Sequence, residues 1–128
     1  MEEYFWFCIL IALNSTILIC LAGYVSSLRL KYRISIGDGD NKQLHKAMRT
    51  HANGVEQVPI YCFLILGLSI THSSETVLAI FVLTFAFARI SHAIGMLSRY
   101  HIARRIGAAA TYLLQLLASM VLLFNVLT

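Results

Sequence analysis

Arg49, Asn53 and Glu56 stand at i, i+4 and i+7 in the segment Arg49-Thr-His51-Ala-Asn53-Gly-Val-Glu56-Gln-Val-Pro59. A helix of 3.6 residues per turn stacks these three side chains on one stripe, and His45 extends the stripe one turn back. The stripe offers a cation, an amide and then a carboxylate, and runs directly into strongly apolar sequence. Ionisable residues inside an apolar span are costly and mark functional sites by default. A ligand with acidic and basic ends of its own fits such a row: carboxylate to Arg49, amide to Asn53, ammonium or peptide N–H to Glu56. The planar guanidinium fork suits carboxylates because it can donate two parallel charge-assisted hydrogen bonds.

Two further groups could join this chemistry. Arg89, His92 and Met96 fall at i, i+3 and i+7 in a later apolar run. An arginine at the hydrocarbon centre costs about 2.5–3.5 kcal/mol on insertion scales, so Arg89 should face inward and be paired. Glu56 is the one acidic residue expected deep in the hydrocarbon, which makes it the expected partner. Such a pair would lock two helices, bind ligand, or both. His101-Ile-Ala-Arg104-Arg105-Ile-Gly107 opens the last apolar run. Its two arginines read as positive-inside anchors or as an anion site. They oppose the helix dipole at that end, a mild cost that a bound anion would recover. Gly107 would let a neighbouring helix approach closely. Pro59 frees the Val55 carbonyl beside Glu56, either opening the helix at the stripe or serving packing alone.

The elements that must position these residues follow from hydropathy. Of 128 residues, 59% are hydrophobic and only 12% charged, above the apolar share of soluble domains. Uncharged runs at 4–28, 57–74 and 106–128, with a further run at 76–98 interrupted by Arg89, match the ~20 residues that span a bilayer. The sequence therefore predicts an all-α integral membrane protein, a four-helix bundle forming a single domain over 1–128. Its helices are expected at about 3–30, 42–71, 75–98 and 104–127. Glu2 and Glu3 precede the first span where a cleavable signal would be basic, so that span is expected to be retained.

Arg29, Lys31, Arg33, Lys42, Lys46 and Arg49 follow the first span, and Arg99, Arg104 and Arg105 follow the third. All lie on one side of the membrane, which the positive-inside rule assigns to the cytoplasm, with both termini opposite. The net charge of +4 needs no nucleic acid to explain it. Gly37-Asp38-Gly39-Asp40-Asn41 reads as a tight turn with Asp40 or Asn41 as N-cap, and lacks the ligand spacing of a calcium loop. The short Thr71–Glu75 connection makes spans two and three antiparallel neighbours. Cys8, Cys20 and Cys62 lie within spans at spacings that suggest neither disulfides nor a metal site.

Over nearly its whole length the chain resembles the MAPEG family, the membrane-associated proteins of eicosanoid and glutathione metabolism, and its short bacterial members in particular. Arg49-x-His51-x-Asn53-x-x-Glu56-x-x-Pro59 is similar to the family's second-helix signature, and Arg89-x-x-His92-x-x-Gly95 to its third-helix pattern. Arg104 or Arg105, with Gly107, falls where the family has its fourth-helix arginine, and Gly37-Asp38-Gly39 resembles a turn of the bacterial branch. The resemblance implies a homotrimer in a bacterial inner membrane, with glutathione bound at subunit interfaces on the cytoplasmic side and an apolar electrophile entering from the bilayer. It implies glutathione contacts from Arg49, Asn53, Glu56, Arg89 and His92, and cross-subunit contacts from His51, Arg29, Arg33 and Lys42. His51 lies about half a turn from the Arg49 stripe, which suits a neighbour's site. Arg105, or else Arg104, would stabilise the thiolate of glutathione, the co-substrate; no metal is implied. Where eicosanoid-type members carry third-helix tyrosines this chain has His92 and Met96, and Gln57 replaces an aromatic after Glu56, so eicosanoid chemistry is not supported.

Three functions compete at this level. The first is a glutathione-dependent transferase or peroxidase of detoxification type, acting on lipophilic electrophiles. The second is a non-catalytic membrane binding or scaffold protein of the same fold. The third is a small proton-coupled transporter using Glu56, although the first span, where small multidrug exporters carry their carboxylate, has no acidic residue after Glu3.

Overall fold

A computed structural model describes residues 4–128. The Glu2–Glu3 pair and the expected helix start at residue 3 lie outside the described residues. Four helices follow in order: α1 (Phe5–Tyr32), α2 (Lys42–Ile70), α3 (Glu75–Leu97) and α4 (His101–Leu127). All four are long and apolar enough to cross a membrane. At 1.5 Å per residue α1 and α2 reach about 42–44 Å and α3 about 35 Å, against a hydrocarbon core of about 30 Å. The α1–α2 hairpin is therefore long enough to project beyond the bilayer.

The fourth helix begins at His101, about three residues before the apolar pattern suggests. Polarity marks where a helix enters lipid, whereas backbone geometry decides where it starts. At the α1–α2 turn, Asn41 is the N-cap of α2, its side chain accepting from the Gln43 and Leu44 N–H groups at 3.0 and 2.9 Å. Asp40 instead takes a positive φ of 57° within the turn. Gly39, at φ 55°, packs so closely that a Cβ there would lie 2.8 Å from the Ile34 side chain. The helix α2 continues unbroken through Pro59.

The core draws on all four helices, with Leu10, Val58, Ile65, Leu78, Val82, Leu114 and Ala118 buried in the same cluster as Tyr61 and Phe85. Those two rings stack at 3.7 Å, and the Tyr61 hydroxyl donates to the Phe81 carbonyl at 3.1 Å. In lipid, where hydrophobicity does not drive helices together, small residues and buried hydrogen bonds decide which helices meet. The α3–α4 seam shows this best. A Cβ at Gly95 would lie 2.1 Å from the Arg104 backbone nitrogen, and one at Gly107 would lie 2.5 Å from that of His92 and 2.6 Å from the Ala88 oxygen. The backbones are in contact at both glycines, and Ser91 Oγ donates across the seam to the Ala103 carbonyl at 3.0 Å. The expectation that Gly107 admits a neighbouring helix is met here. At the other end of the bundle, Asn125 of α4 donates to Ser73 and Thr71 in the α2–α3 connection at 2.8 and 3.2 Å.

Candidate functional site

Because α3 and α4 touch backbone to backbone, the side chains flanking the two glycines must splay towards α2. They line an open cavity of about 310 Å³ formed by Arg49 and Asn53 of α2, His92 and Met96 of α3, and Arg104, Arg105 and Ala108 of α4, with the three arginines exposed at its rim. Each helix contributes residues one turn apart, as the i, i+4 spacing requires. The structure thus brings together five of the residues selected from sequence: Arg49, Asn53, His92, Arg104 and Arg105.

The electrostatics of this cavity are one-sided. Among the described residues no acidic side chain lines it. Among the described residues, the Arg49, Arg104 and Arg105 side chains make no hydrogen bond or ion pair, so three guanidinium groups converge on one space without protein acceptors. The α4 N-terminus lies beside it without a side-chain cap, adding the positive end of a helix dipole. His92 is buried, 6% exposed, and its Nδ1 has no partner among the described residues. Anions and hydrogen-bond acceptors are what such a lining can hold.

The pairing of Arg89 differs from the expectation. Arg89 is 4% exposed and its Nη2 donates to Asn53 Oδ1 at 2.9 Å, not to Glu56. Asn53 and Glu56 are three residues apart, and therefore about 60° apart around α2. With Asn53 turned towards α3, Glu56 is turned outward and is exposed on the chain surface. Among the described residues Glu56 has no ion-pair partner. Gly54 lets the Leu18 side chain of α1 pack closely beside this pair: a Cβ there would meet Leu18 at 2.5 Å but would stand at ordinary contact distance, 3.8 Å, from Arg89 Nη2. Arg89 itself does not line the cavity and reaches it only through Asn53.

The remaining sequence candidates lie elsewhere. Arg29 binds its own loop, its Nη1 donating to the carbonyls of Gly37, Ser35 and Ile34 at 2.9, 3.3 and 3.4 Å, and Nη2 contacting Met48 Sδ at 3.5 Å. Arg33 is the left-handed C-cap of α1, with φ 56° and its side chain exposed. Lys42 is exposed at the start of α2, and His51 is half-buried outside the cavity. His45 leaves the stripe chemistry to pair with Asp38 at 2.6 Å. That hydrogen bond, with a second from the Asp40 N–H, holds the Asp38 carboxyl below its ordinary value.

Sequence reasoning passed over Ala108 and Gln115. Ala108 is one turn beyond Arg104 and only a small residue there leaves the cavity open. Gln115 of α4 donates to the side chain and carbonyl of Gln57 at 3.0 and 3.3 Å, tying α4 to α2 one residue past Glu56; its signal was an amide, one of two with Asn125, in a strongly apolar run. A larger groove of about 470 Å³ lies between α1 and α3, lined by Ile17, Leu21, Ile90, Ile94 and neighbours. Among the described residues its one titratable group is the Cys20 thiol, and it carries none of the candidate chemistry.

The family model described as MAPEG matches residues 7–124. The inner membrane protein YecN of Escherichia coli strain K12 is 32% identical over 111 residues, covering 84% of this chain and 85% of that protein. YecN of the O6:H1 strain matches to the same extent.

Proposed function

This chain belongs to the MAPEG family, and from that premise we propose that it is a glutathione-dependent transferase or peroxidase acting on lipophilic electrophiles. The observation that carries this reading is the cavity in which Arg49, Arg104 and Arg105 converge with no protein acceptor. Glutathione brings two carboxylates, peptide carbonyls and a thiol to such a donor set. A free thiol has a pKa near 8.5, and an adjacent guanidinium favours the thiolate, the reactive form. Arg105 or Arg104 is assigned that task, with Arg49, Asn53 and His92 holding the rest of the tripeptide. In conjugation the sulfur forms a bond to the electrophilic carbon, the leaving group departs with its electron pair, and the thiol proton passes to water. In peroxidase turnover two glutathiones are oxidised to the disulfide while the hydroperoxide is reduced to an alcohol and water.

The working form is a homotrimer in the inner membrane, with the basic end of the bundle and the site in the cytoplasm. Exposure of Glu56 on a helix apolar enough to span supports the trimer, because an ionised carboxylate facing lipid costs several kcal/mol. A neighbouring subunit would cover it and bring cations such as Arg33 or Lys42, and also His51, to the same ligand. The distribution of Lys and Arg supports the orientation, and the relative's description as an inner membrane protein supports the location.

Binding without turnover is the second reading, and Met96 favours it. This thioether lines the cavity and offers no proton to a substrate. Two measurements separate the readings: calorimetry of detergent-solubilised protein with glutathione, and turnover with glutathione plus an aromatic halide or a lipid hydroperoxide. Arg49→Ala and Glu56→Gln are expected to weaken glutathione binding; binding untouched by both would remove the ligand from this stripe. Loss of turnover in Arg105→Ala or Arg104→Ala, with the trimer intact, is expected of the catalyst. Unimpaired turnover in both single variants and in the double variant would sink the assignment.

A further inference from the structure

Arginine carries only donors, so the atom of Asn53 that accepts from Arg89 must be the carbonyl oxygen. The bond at 2.9 Å therefore determines which way round the Asn53 amide sits. Its NH2 group is then the end left for the cavity that Asn53 lines, and Nδ2 has no protein acceptor among the described residues. An asparagine is ordinarily free to offer either its donor or its acceptor end, and a network decides which. Here a single buried guanidinium, outside the cavity, makes that decision.

We propose that Arg89 is a positioning residue that fixes the Asn53 amide with its NH2 directed into the cavity, so that this position takes only a hydrogen-bond acceptor. The consequence is a lining with donors on α2 and α4 alike: Arg49, Asn53, Arg104 and Arg105. A carbonyl, a carboxylate or a thiolate is held at Asn53, whereas an ammonium there meets N–H groups and is rejected. The wrong polarity sets the half-buried Asn53 amide donor against another donor, and a donor left facing a donor is how polar sites discriminate. Under the glutathione reading, on which this ligand assignment rests, the free ammonium of the tripeptide is excluded from the Asn53 position and a carbonyl, carboxylate or sulfur is placed there.

Asn53→Asp separates this role from simple helix locking. Aspartate still accepts from Arg89, now as an ion pair, but presents an acceptor where the NH2 stood. Detergent-solubilised protein is expected to keep or raise its melting temperature while its affinity for glutathione falls at least tenfold. Arg89→Lys keeps a donor for Asn53 Oδ1 and is expected to hold affinity within about threefold. Arg89→Gln, which can donate or accept and so releases the amide to turn, is expected to raise the KM for glutathione about tenfold with kcat within twofold. Wild-type affinity in Asn53→Asp, or equal affinity in Arg89→Lys and Arg89→Gln, overturns the proposal. If the wild-type protein binds no glutathione, the proposed function falls; the melting temperatures then decide the orientation, with a drop in Asn53→Asp counting against it and its retention in favour.

Discussion

Arg29 and Arg104 both lie near the basic end of the bundle, yet their surroundings assign them opposite work. On the α1–α2 hairpin Arg29 serves the chain. Arg29 donates to three loop carbonyls, and the adjoining Tyr32 and Tyr24 are linked through Gln43 at 2.7 and 3.0 Å. Along the α3–α4 seam the structural work is done by two glycines and a serine, and the arginines beside them are left without acceptors. Charge alone does not distinguish a ligand-binding cation from a structural one. What distinguishes them is whether the local backbone turns free carbonyls towards the guanidinium: the loop at 34–37 does so for Arg29, and Arg104 finds none along the seam.

The comparison breaks most severely if the seam is forced apart. Gly107→Ala places a Cβ against the His92 nitrogen and the Ala88 oxygen, and Gly95→Ala places one against the Arg104 nitrogen. Both clashes are with backbone, which cannot rotate away. Each variant is expected to lose about 3 kcal/mol or more, read as a lower thermal midpoint in detergent, together with the cavity. Wild-type melting in either would show that α3 and α4 are not in backbone contact.

Next in size is the contrast between the arginines themselves. Arg29→Ala removes a charged donor from several carbonyls and is expected to cost about 1–2 kcal/mol of stability, with the ligand cavity unchanged. Arg104→Ala and Arg105→Ala remove no protein contact and should melt at or above the wild-type temperature, since like charges converging on one space repel. Destabilisation of the α4 variants to the same degree as Arg29→Ala would erase the distinction drawn here. The glutathione affinity of Arg29→Ala sharpens it further, because an unchanged value confines Arg29 to the loop.

The same contrast explains what was legible in the sequence. Four spans, the capped turn and the gathering of Arg49 with Asn53 follow from hydropathy, turn chemistry and the 3.6-residue period, all local rules. The outward turn of Glu56 does not. The choice between Asn53 and Glu56 as partner for Arg89 depends on about 60° of rotation, set by how α2 crosses α3. Arg29 was likewise unreadable as a loop tie, because its best acceptor, the Gly37 carbonyl, is eight residues away along a chain that first has to fold back. Gln115 and Gln57 are 58 residues apart, and only the assembled bundle brings them together. Local patterns located the polar residues, and tertiary crossing angles decided which of them meet.

A smaller effect is expected at the α2 cap. Asn41→Ala removes the acceptor for two helix N–H groups and is expected to cost about 1 kcal/mol, measured by thermal unfolding. Because the cap lies more than two helical turns from Asn53, glutathione affinity should stay at the wild-type value. Weakened binding would mean that the hairpin and the seam are mechanically coupled.

The smallest effect tests whether the hairpin titrates independently of the site. The Asp38 carboxyl is held below its ordinary value by the hydrogen bond from His45 and by the Asp40 N–H. A carboxylate whose folded value is depressed contributes stability that is fully present above its unfolded value, near about 4, and is lost as pH falls through the lower folded value. Acidification below about pH 4 should therefore loosen the turn, and Asp38→Asn should remove that part of the acid dependence while lowering neutral-pH melting by the same small amount. The pair is exposed, so screening keeps its contribution small and salt should diminish it. An acid profile for Asp38→Asn that superimposes on the wild type would show that the Asp38–His45 contact adds nothing to the hairpin. The turn would then rest on Asn41, the two glycines and Arg29 alone.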